Sequence, residues 1–377
     1  MKRLGLYIHF PFCKKKCNYC DFYSCTSQEK SKEYITSLCQ QLDIEAPFYK
    51  EYLFDTVFIG GGTPSLIDAD DFERLSNKIK KSLTLSNDFE FSIEANPGTI
   101  TREKLLIYKA CGVNRLSIGL QSTNDGELKM LGRIHDYDTF LKNYNLAREC
   151  GFDNINVDVM YSLPNQKTET FLETLHKVIR LSPEHISAYS LKIEENTPFG
   201  KIKSTLSLPD EDSEYNTYIS MNELLSKNGY LQYEISNFAK KGYECKHNLK
   251  YWQSEEYIGL GPSAHSFFNG ERYSYDSDLN KYVLKIKENL LPTKIKEEHE
   301  TTTIPQIDEY VMLKLRLSSG INIEEFSLLF DKEFIDLYPK INKYLNTGHV
   351  IFENGAYKFT PKGFFVSNYI LADILNF

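Results

Sequence analysis

The chain has 377 residues, enough for two domains, and its 41% apolar and 25% charged content is that of an ordinary globular protein. With 52 acidic against 44 basic residues the net charge is −8, which argues against a general nucleic-acid binder. No apolar run approaches ~18 residues, so no transmembrane helix is expected. The opening MKRLGLYIHFPFC lacks the small-residue cleavage site of a signal peptide. Three of the eight cysteines crowd into residues 13–20 and the others are scattered. That distribution fits a reducing, cytoplasmic compartment and one thiolate cluster better than a disulfide scaffold.

Taken in chain order, six runs rich in Val, Ile, Tyr and Phe read as strands: 4–10, 54–60, 89–95, 114–120, 154–163 and 185–193. Helical stretches lie between them at 28–47, 68–83, 101–111, 137–150 and 168–181, with Asp68 and Thr101 placed as N-caps. Six β units separated by helices predict a parallel sheet, curled or doubly wound. KACGVNRLSIG (109–119) and RECGFDNINVD (148–158) echo one another. In both, Gly112 and Gly151 are placed to end a helix in the left-handed conformation, and Cys111 and Cys150 read as small buried side chains.

After Pro198 the pattern changes. One further helix is expected over 211–228, and residues 241–275 are rich in Gly, Tyr, His and Asn and hold the single tryptophan. The remainder alternates short helices with HVIFE, an Asn354-Gly355 turn and AYKFT, the signature of a β-hairpin. The expected division is a core over 1–235 and a smaller α+β accessory domain over 236–377, winged-helix-like but too acidic for a DNA-binding role.

Cys13, Cys17 and Cys20 form a C-x3-C-x2-C run directly after the first strand. Structural zinc usually takes four ligands, and a [4Fe–4S] cluster also prefers four cysteines. Three thiolates therefore imply a cluster with one iron open to a chelating small molecule. A zinc knuckle completed by Cys25 or His9 is the competing reading. Lys14, Lys15 and Lys16 would offset part of a cluster's negative charge.

On parallel βα architectures, active residues gather at strand C-termini. Here those ends carry Gly60-Gly61-Gly62-Thr63-Pro64, then Glu94 in EANPG, Gln121, Arg133 in LGRIH, and Asp158. Consecutive glycines let backbone approach a ligand closely. Buried carboxylates need partners, which structural ion pairs or a ligand's hydroxyl and cationic groups would supply.

YIHFPFCKKKCNYCDF, GGGTPS, EANPG, SIGLQS, LGRIH, VDVMYSLP and AYSLKIEENTPF together resemble the radical S-adenosylmethionine (SAM) superfamily. Within it they resemble the oxygen-independent coproporphyrinogen III dehydrogenase group, and most closely the HemW-type heme chaperones. The resemblance spans nearly the whole chain. It implies a partial (β/α)6 barrel, a [4Fe–4S] cluster on Cys13, Cys17 and Cys20, and SAM chelated at the open iron. Tyr7, Gly61 and Glu94 match positions that contact this SAM. Tyr19, Gly62, Thr63, Gln121, Arg133 and Asp158 match positions that approach a second SAM in the dehydrogenase.

Two departures set the chain apart from the dehydrogenase. Asp21-Phe22 follow Cys20 where that enzyme carries a further cysteine, and only six residues precede Tyr7 where it has an N-terminal extension. Instead, residues 247–252 read His-Asn-Leu-Lys-Tyr-Trp, the H-N-x-x-Y-W pattern of HemW-type proteins. From spacing alone this is equally a buried aromatic cluster around a hydrogen-bonded histidine. The resemblance instead makes His247 an axial heme ligand, with Lys250 or Lys246 on a propionate and Cys245 or His265 as further candidates. The expected function is a heme chaperone that hands heme to acceptor proteins and uses an electron donor, any contact with membrane proteins being transient. Radical decarboxylation of coproporphyrinogen III is the alternative.

Overall fold

The structure is a computed structural model and describes residues 1–296 and 303–376, the side chains of 303–305 excepted. Its first half alternates strand and helix: β1 (Lys2–Phe10), α1 (Ser31–Glu45), β2 (Tyr52–Gly61), α2 (Ala69–Ser82), β3 (Leu85–Ala95), α3 (Arg102–Ala110), β4 (Arg115–Gln121), α4 (Asp125–Met130), α5 (Tyr137–Glu149), β5 (Ile155–Tyr161), α6 (Thr168–Arg180) and β6 (His185–Ser190). β1 to β6 pair in parallel and in chain order. Leu4, Leu6, Ile8, Val57, Ile59 and Ile93 are among many strand side chains with no exposure. Each such side chain contributes ~1.5–3 kcal/mol of transfer free energy, so covering both sheet faces with helices is strongly favoured. The six expected strands and the helices between them are thus present, with ends shifted by a few residues.

Thr101 caps α3 through a bond from the Lys104 amide, whereas Asp68 stands at the start of α2 without a side-chain cap bond. Gly112 and Gly151 take φ of +85° and +82°, as their helix-ending positions require.

The sheet does not stop at β6. After α7 (Pro198–Lys201) and α8 (Glu211–Lys227) come β7 (Leu231–Gln232), β8 (Asn237–Ala239), α9 (Lys246–Trp252), β9 (Tyr257–Leu260), β10 (His265–Phe268), β11 (Glu271–Tyr275), α10 (Leu279–Lys287) and β12 (Lys294–Lys296). The twelve strands run β12-β11-β10-β9-β1-β2-β3-β4-β5-β6-β8-β7, an open arc with an edge at each end. β9 is parallel to β1, and β8 is antiparallel to β6. The sheet therefore runs straight across the 235/236 division.

The C-terminal part contains α11 (Thr303–Lys314), β13 (Ile321–Asn322), α12 (Ile323–Phe330), α13 (Phe334–Leu337), α14 (Ile341–Asn346), β14 (Val350–Glu353), β15 (Ala356–Phe359), α15 (Pro361–Phe365) and α16 (Ser367–Leu375). Its antiparallel strands order as β13-β15-β14, and Asn354 and Gly355 both take positive φ, +53° and +73°, in the hairpin turn. Helix, strand, helices, then a two-stranded wing is the winged-helix order of elements. Among the described residues no helix is long and apolar enough to cross a membrane.

Candidate functional site

The cysteine loop leaves β1 and is tied down on both sides. The Cys13 amide donates to Cys25 O at 2.9 Å and the Cys25 amide to Pro11 O at 2.7 Å. Farther along, the Asn18 amide donates to Leu131 O and its side chain to Met130 O, which moors the loop to the end of α4. Thr63 Oγ1 donates to the Cys13 sulfur at 3.5 Å and Arg133 Nη1 to the Cys17 sulfur at 3.6 Å. Burial pushes the Cys13 and Cys20 thiols up, and the nearby Cys17 sulfur adds to both shifts.

Among the described residues no three His, Cys, Asp or Glu side chains gather tightly enough to hold a single metal ion. His9 uses both ring nitrogens, accepting at Nδ1 from Tyr7 Oη (3.1 Å) and donating from Nε2 to Tyr23 O (2.9 Å). With both nitrogens engaged, His9 is not free to complete a zinc knuckle. A cubane spaces its thiolates more widely than a lone ion does, and sulfur-directed donors from Thr63 and Arg133 suit an anionic iron–sulfur group.

Gly61 and Gly62 lie beside this loop because the ends of β1 and β2 are paired, Phe10 opposite Gly61. Gly61 takes φ +111°, and a Cβ there would stand 2.7 Å from the His9 ring. A Cβ on Gly62 would stand 2.7 Å from Phe12 O, a backbone atom that cannot step aside. The Gly61 amide donates to Glu94 Oε2 at 3.0 Å. The Glu94 carboxyl is pushed up to about 8, chiefly by burial and then by the Asp158 carboxylate, against the pull of the Gly61 amide.

Across the barrel, Arg133 Nη2 donates to Gly119 O at 2.6 Å and to Asn96 Oδ1, and Asn96 Nδ2 donates to Thr63 Oγ1 at 2.9 Å, linking LGRIH, SIGLQS, EANPG and GGGTP. Gln121 adopts φ +75° at a register shift in β4, and its Oε1 is buried without a partner, as is Arg133 Nε. A strained non-glycine with an orphaned polar atom at a strand C-terminus is what a ligand contact leaves behind. Asp158 accepts from Asn156 Nδ2 at 2.6 Å, and burial raises its carboxyl too. Tyr19 packs against the Leu131, Met160, Leu163 and Phe199 cluster, its phenol within the field of Arg133, Cys17 and Asp158. The strand-end residues thus share one mouth of the arc.

His247 approaches from the opposite side. It is the second residue of α9, which is anchored near the starts of β2 and β3, and its ring reaches Tyr7 and Phe58 midway along β1 and β2. Lys246 Nζ donates to Asp88 O, Lys250 Nζ to Asp55, and the Lys246 and His247 amides to Glu90. The imidazole is fully buried, with Nδ1 2.8 Å from Thr56 Oγ1 and Nε2 2.8 Å from Tyr251 Oη. Its ring stacks on Phe58 (5.3 Å between centroids) and Tyr7 (6.3 Å), and burial holds its pKa down at about 3. Here the bland reading of H-N-x-x-Y-W describes the geometry: a buried aromatic cluster around a hydrogen-bonded histidine.

The neighbours expected on a heme are also engaged. Lys250 is 3% exposed and paired with Asp55 at 2.8 Å and Glu255 at 2.8 Å, so it is a buried ion pair and not an open propionate partner. The Cys245 thiol is fully buried against Glu90, at 3.5 Å, and pushed up to about 12, first by burial. Lys246 remains half exposed. His265 is exposed at the start of β10.

Comparison with known proteins agrees with this architecture. The Radical SAM superfamily pattern matches residues 7–178 and the HemN C-terminal domain pattern residues 303–366. Coproporphyrinogen III oxidase (HemN) from Escherichia coli superposes with a TM-score of 0.84 at 24% identity, over 98% of this chain and 89% of that one, which establishes the fold. The protein is a radical SAM protein, and the superfamily implies a [4Fe–4S] cluster and SAM. Heme chaperone HemW of Bacillus subtilis is 36% identical over 375 residues, 98% of each chain, and that of Escherichia coli 41% identical over 264 residues, 70% of this chain and 69% of its own. The chain belongs to the HemW family of heme chaperones.

Several residues of this geometry had weak signals in the sequence. Asn96 lies inside EANPG, and Tyr251 stands four residues beyond His247, one helical turn away. Thr56, Phe58 and the fully buried Arg115 carry no motif. Only the tertiary packing around α9 brings Thr56 and Phe58 onto the His247 ring and sets the Arg115 charge within its field.

Proposed function

We propose that the chain binds heme and passes it to acceptor proteins, with a [4Fe–4S] cluster on Cys13, Cys17 and Cys20 and SAM at the open iron. The observation that carries this reading is the correspondence with a heme chaperone over 98% of both chains. When bound, the cluster supplies an electron to the SAM sulfonium. The chain's own part is to hold and orient. Thr63 and Arg133 direct hydrogen bonds at the thiolates, Gly61 and Gly62 keep the approach free of side chains, and Glu94 offers a carboxyl to SAM's ammonium group. Tyr7 lines the same space, while Tyr19, Gln121 and Asp158 complete the polar wall for one SAM or two. Lys14, Lys15 and Lys16 are exposed, without an ion pair among the described residues, and present a positive approach to an electron donor.

Heme is proposed to take His247 as its ligand in exchange for the hydrogen bonds its ring nitrogens make with Thr56 and Tyr251. The neutral imidazole is then a ready nitrogen donor. The test is anaerobic reconstitution with iron, sulfide and SAM, followed by hemin titration of wild type and His247→Ala and a coproporphyrinogen III assay. The reading expects heme binding lost in His247→Ala with the cluster retained, and no protoporphyrinogen formed. Unchanged heme affinity would reject His247 as the ligand, and product formed with SAM consumption would establish the dehydrogenase instead.

A further inference from the structure

The C-terminal part holds the most exposed large apolar side chain among the described residues that is not at a chain end. In α12, Leu328 is 87% exposed and its neighbour Leu329 58%, although the same helix buries Phe326 completely. Leu337 at the end of α13 is also exposed, and a cavity of about 430 Å³ opens between the two helices, lined by Ser327, Asp331, Lys332, Glu333, Asp336 and Leu337. Aromatic contacts run on from this corner to the wing: Phe334 meets Tyr357 at 5.0 Å, and Tyr357 meets the half-exposed Phe352 at 4.8 Å.

A leucine held out in water is unfavourable unless something covers it, and two in succession on a folded helix mark an interaction surface. The charge around them selects what covers them. Residues 323–337 carry five carboxylates (Glu324, Glu325, Asp331, Glu333 and Asp336) against one lysine, Lys332, and of the five Glu325 is paired with Lys314 of α11 at 3.2 Å. A winged-helix architecture presents its second and third helices and its wing to DNA, but this face has the wrong sign for phosphate. It would also repel an anionic lipid surface. An apolar strip edged by carboxylates is complementary to an amphipathic helix with a leucine-rich face and flanking lysines or arginines.

We propose that the α12–α13 face is a docking surface for a basic amphipathic helix of a partner protein. The exposed leucines supply the contact area, and the carboxylates supply orientation and a fast, salt-sensitive encounter.

The test uses the full chain, reconstituted anaerobically, and a fluorescein-labelled helical peptide of leucine and lysine, with a leucine and glutamate peptide of the same pattern as control. Fluorescence anisotropy should show binding of the cationic peptide alone, weakening as salt rises. Leu328→Ser/Leu329→Ser and, separately, Asp331→Lys/Glu333→Lys/Asp336→Lys should each weaken it by roughly tenfold or more. All three carboxylates and both leucines are exposed, so these variants should fold, which the circular dichroism melt checks. Equal binding by wild type and both variants would place the peptide elsewhere on an acidic chain and overturn the proposal. So would a wild-type dimer in sedimentation that Leu328→Ser/Leu329→Ser disperses, because the face would then be covered by a second copy.

Discussion

His247 Nε2 and Tyr251 Oη stand 2.8 Å apart, one helical turn from each other on α9, and the phenol occupies the nitrogen that a heme iron would need. Removing the phenol alone therefore frees the imidazole without removing it. Tyr251→Phe is expected to bind hemin more tightly than wild type, by up to about tenfold, the worth of one hydrogen bond of ~1 kcal/mol or slightly more. A Soret titration measures it. A weakened or unchanged affinity would show that the pair is structural.

The glycine loop tolerates no side chain. Gly62→Ala would drive a Cβ to 2.7 Å from Phe12 O and 3.0 Å from Phe10 O, against backbone on both sides. The variant should lose ~1–3 kcal/mol of stability through overpacking and retain less cluster after reconstitution. Urea unfolding and the iron-to-protein ratio report the two effects. Gly98→Ala is a useful contrast: its Cβ would meet nothing closer than 3.8 Å, so any loss there reflects only its φ of +82°.

Glu94 links stability to pH. Its carboxyl titrates near 8 in the folded chain against about 4.5 when unfolded, so between those values the native state holds the extra proton. Stability from this group is present below about pH 4.5 and falls as pH rises towards 8. Glu94→Gln should flatten that decline in ligand-free protein and leave it more stable than wild type at pH 8. The same variant should bind SAM more weakly, because the charge that meets an ammonium group is gone. Melts across pH 5–9 and SAM equilibrium dialysis separate the two outcomes.

Lys250 and Asp55 anchor α9 to β2. Removing one partner strands a buried charge, so Lys250→Met should cost about 3–5 kcal/mol, part of it recovered by the Arg3 side chain that also reaches Asp55. Lys250→Met/Asp55→Leu should regain most of that loss. If the double variant is as unstable as the single one, the lysine acts through packing and not through its charge.

Zinc would undo the reading of the cysteine loop. Cys13→Ser, Cys17→Ser and Cys20→Ser are each expected to abolish the cluster's visible absorption and its response to SAM, while Cys25→Ser keeps both. Iron, sulfide and zinc analysis of anaerobic protein checks the outcome directly.

The repeating strand–helix order, the helix ends at Gly112 and Gly151 and the Asn354-Gly355 hairpin were legible in the sequence because each follows from periodicity or a φ requirement within a few residues. So was the set of strand-end motifs, since parallel strands must deliver their C-termini to one mouth. The continuation of the sheet through β8 and β9 was not legible: strands of three or four residues carry too little pattern, and their pairing with β6 and β1 joins distant chain.

What the sequence determined by itself is the list of chemical groups and the local elements that carry them, three thiols on one loop among them. What only the tertiary structure decided is which groups meet. His247 reaches Thr56 across 191 residues and Glu90 across 157, and these contacts turn a ligand-like motif into a buried plug. Local pattern is set by neighbours a turn or a strand away, whereas such meetings depend on the path of the whole chain and on the burial that closing it achieves.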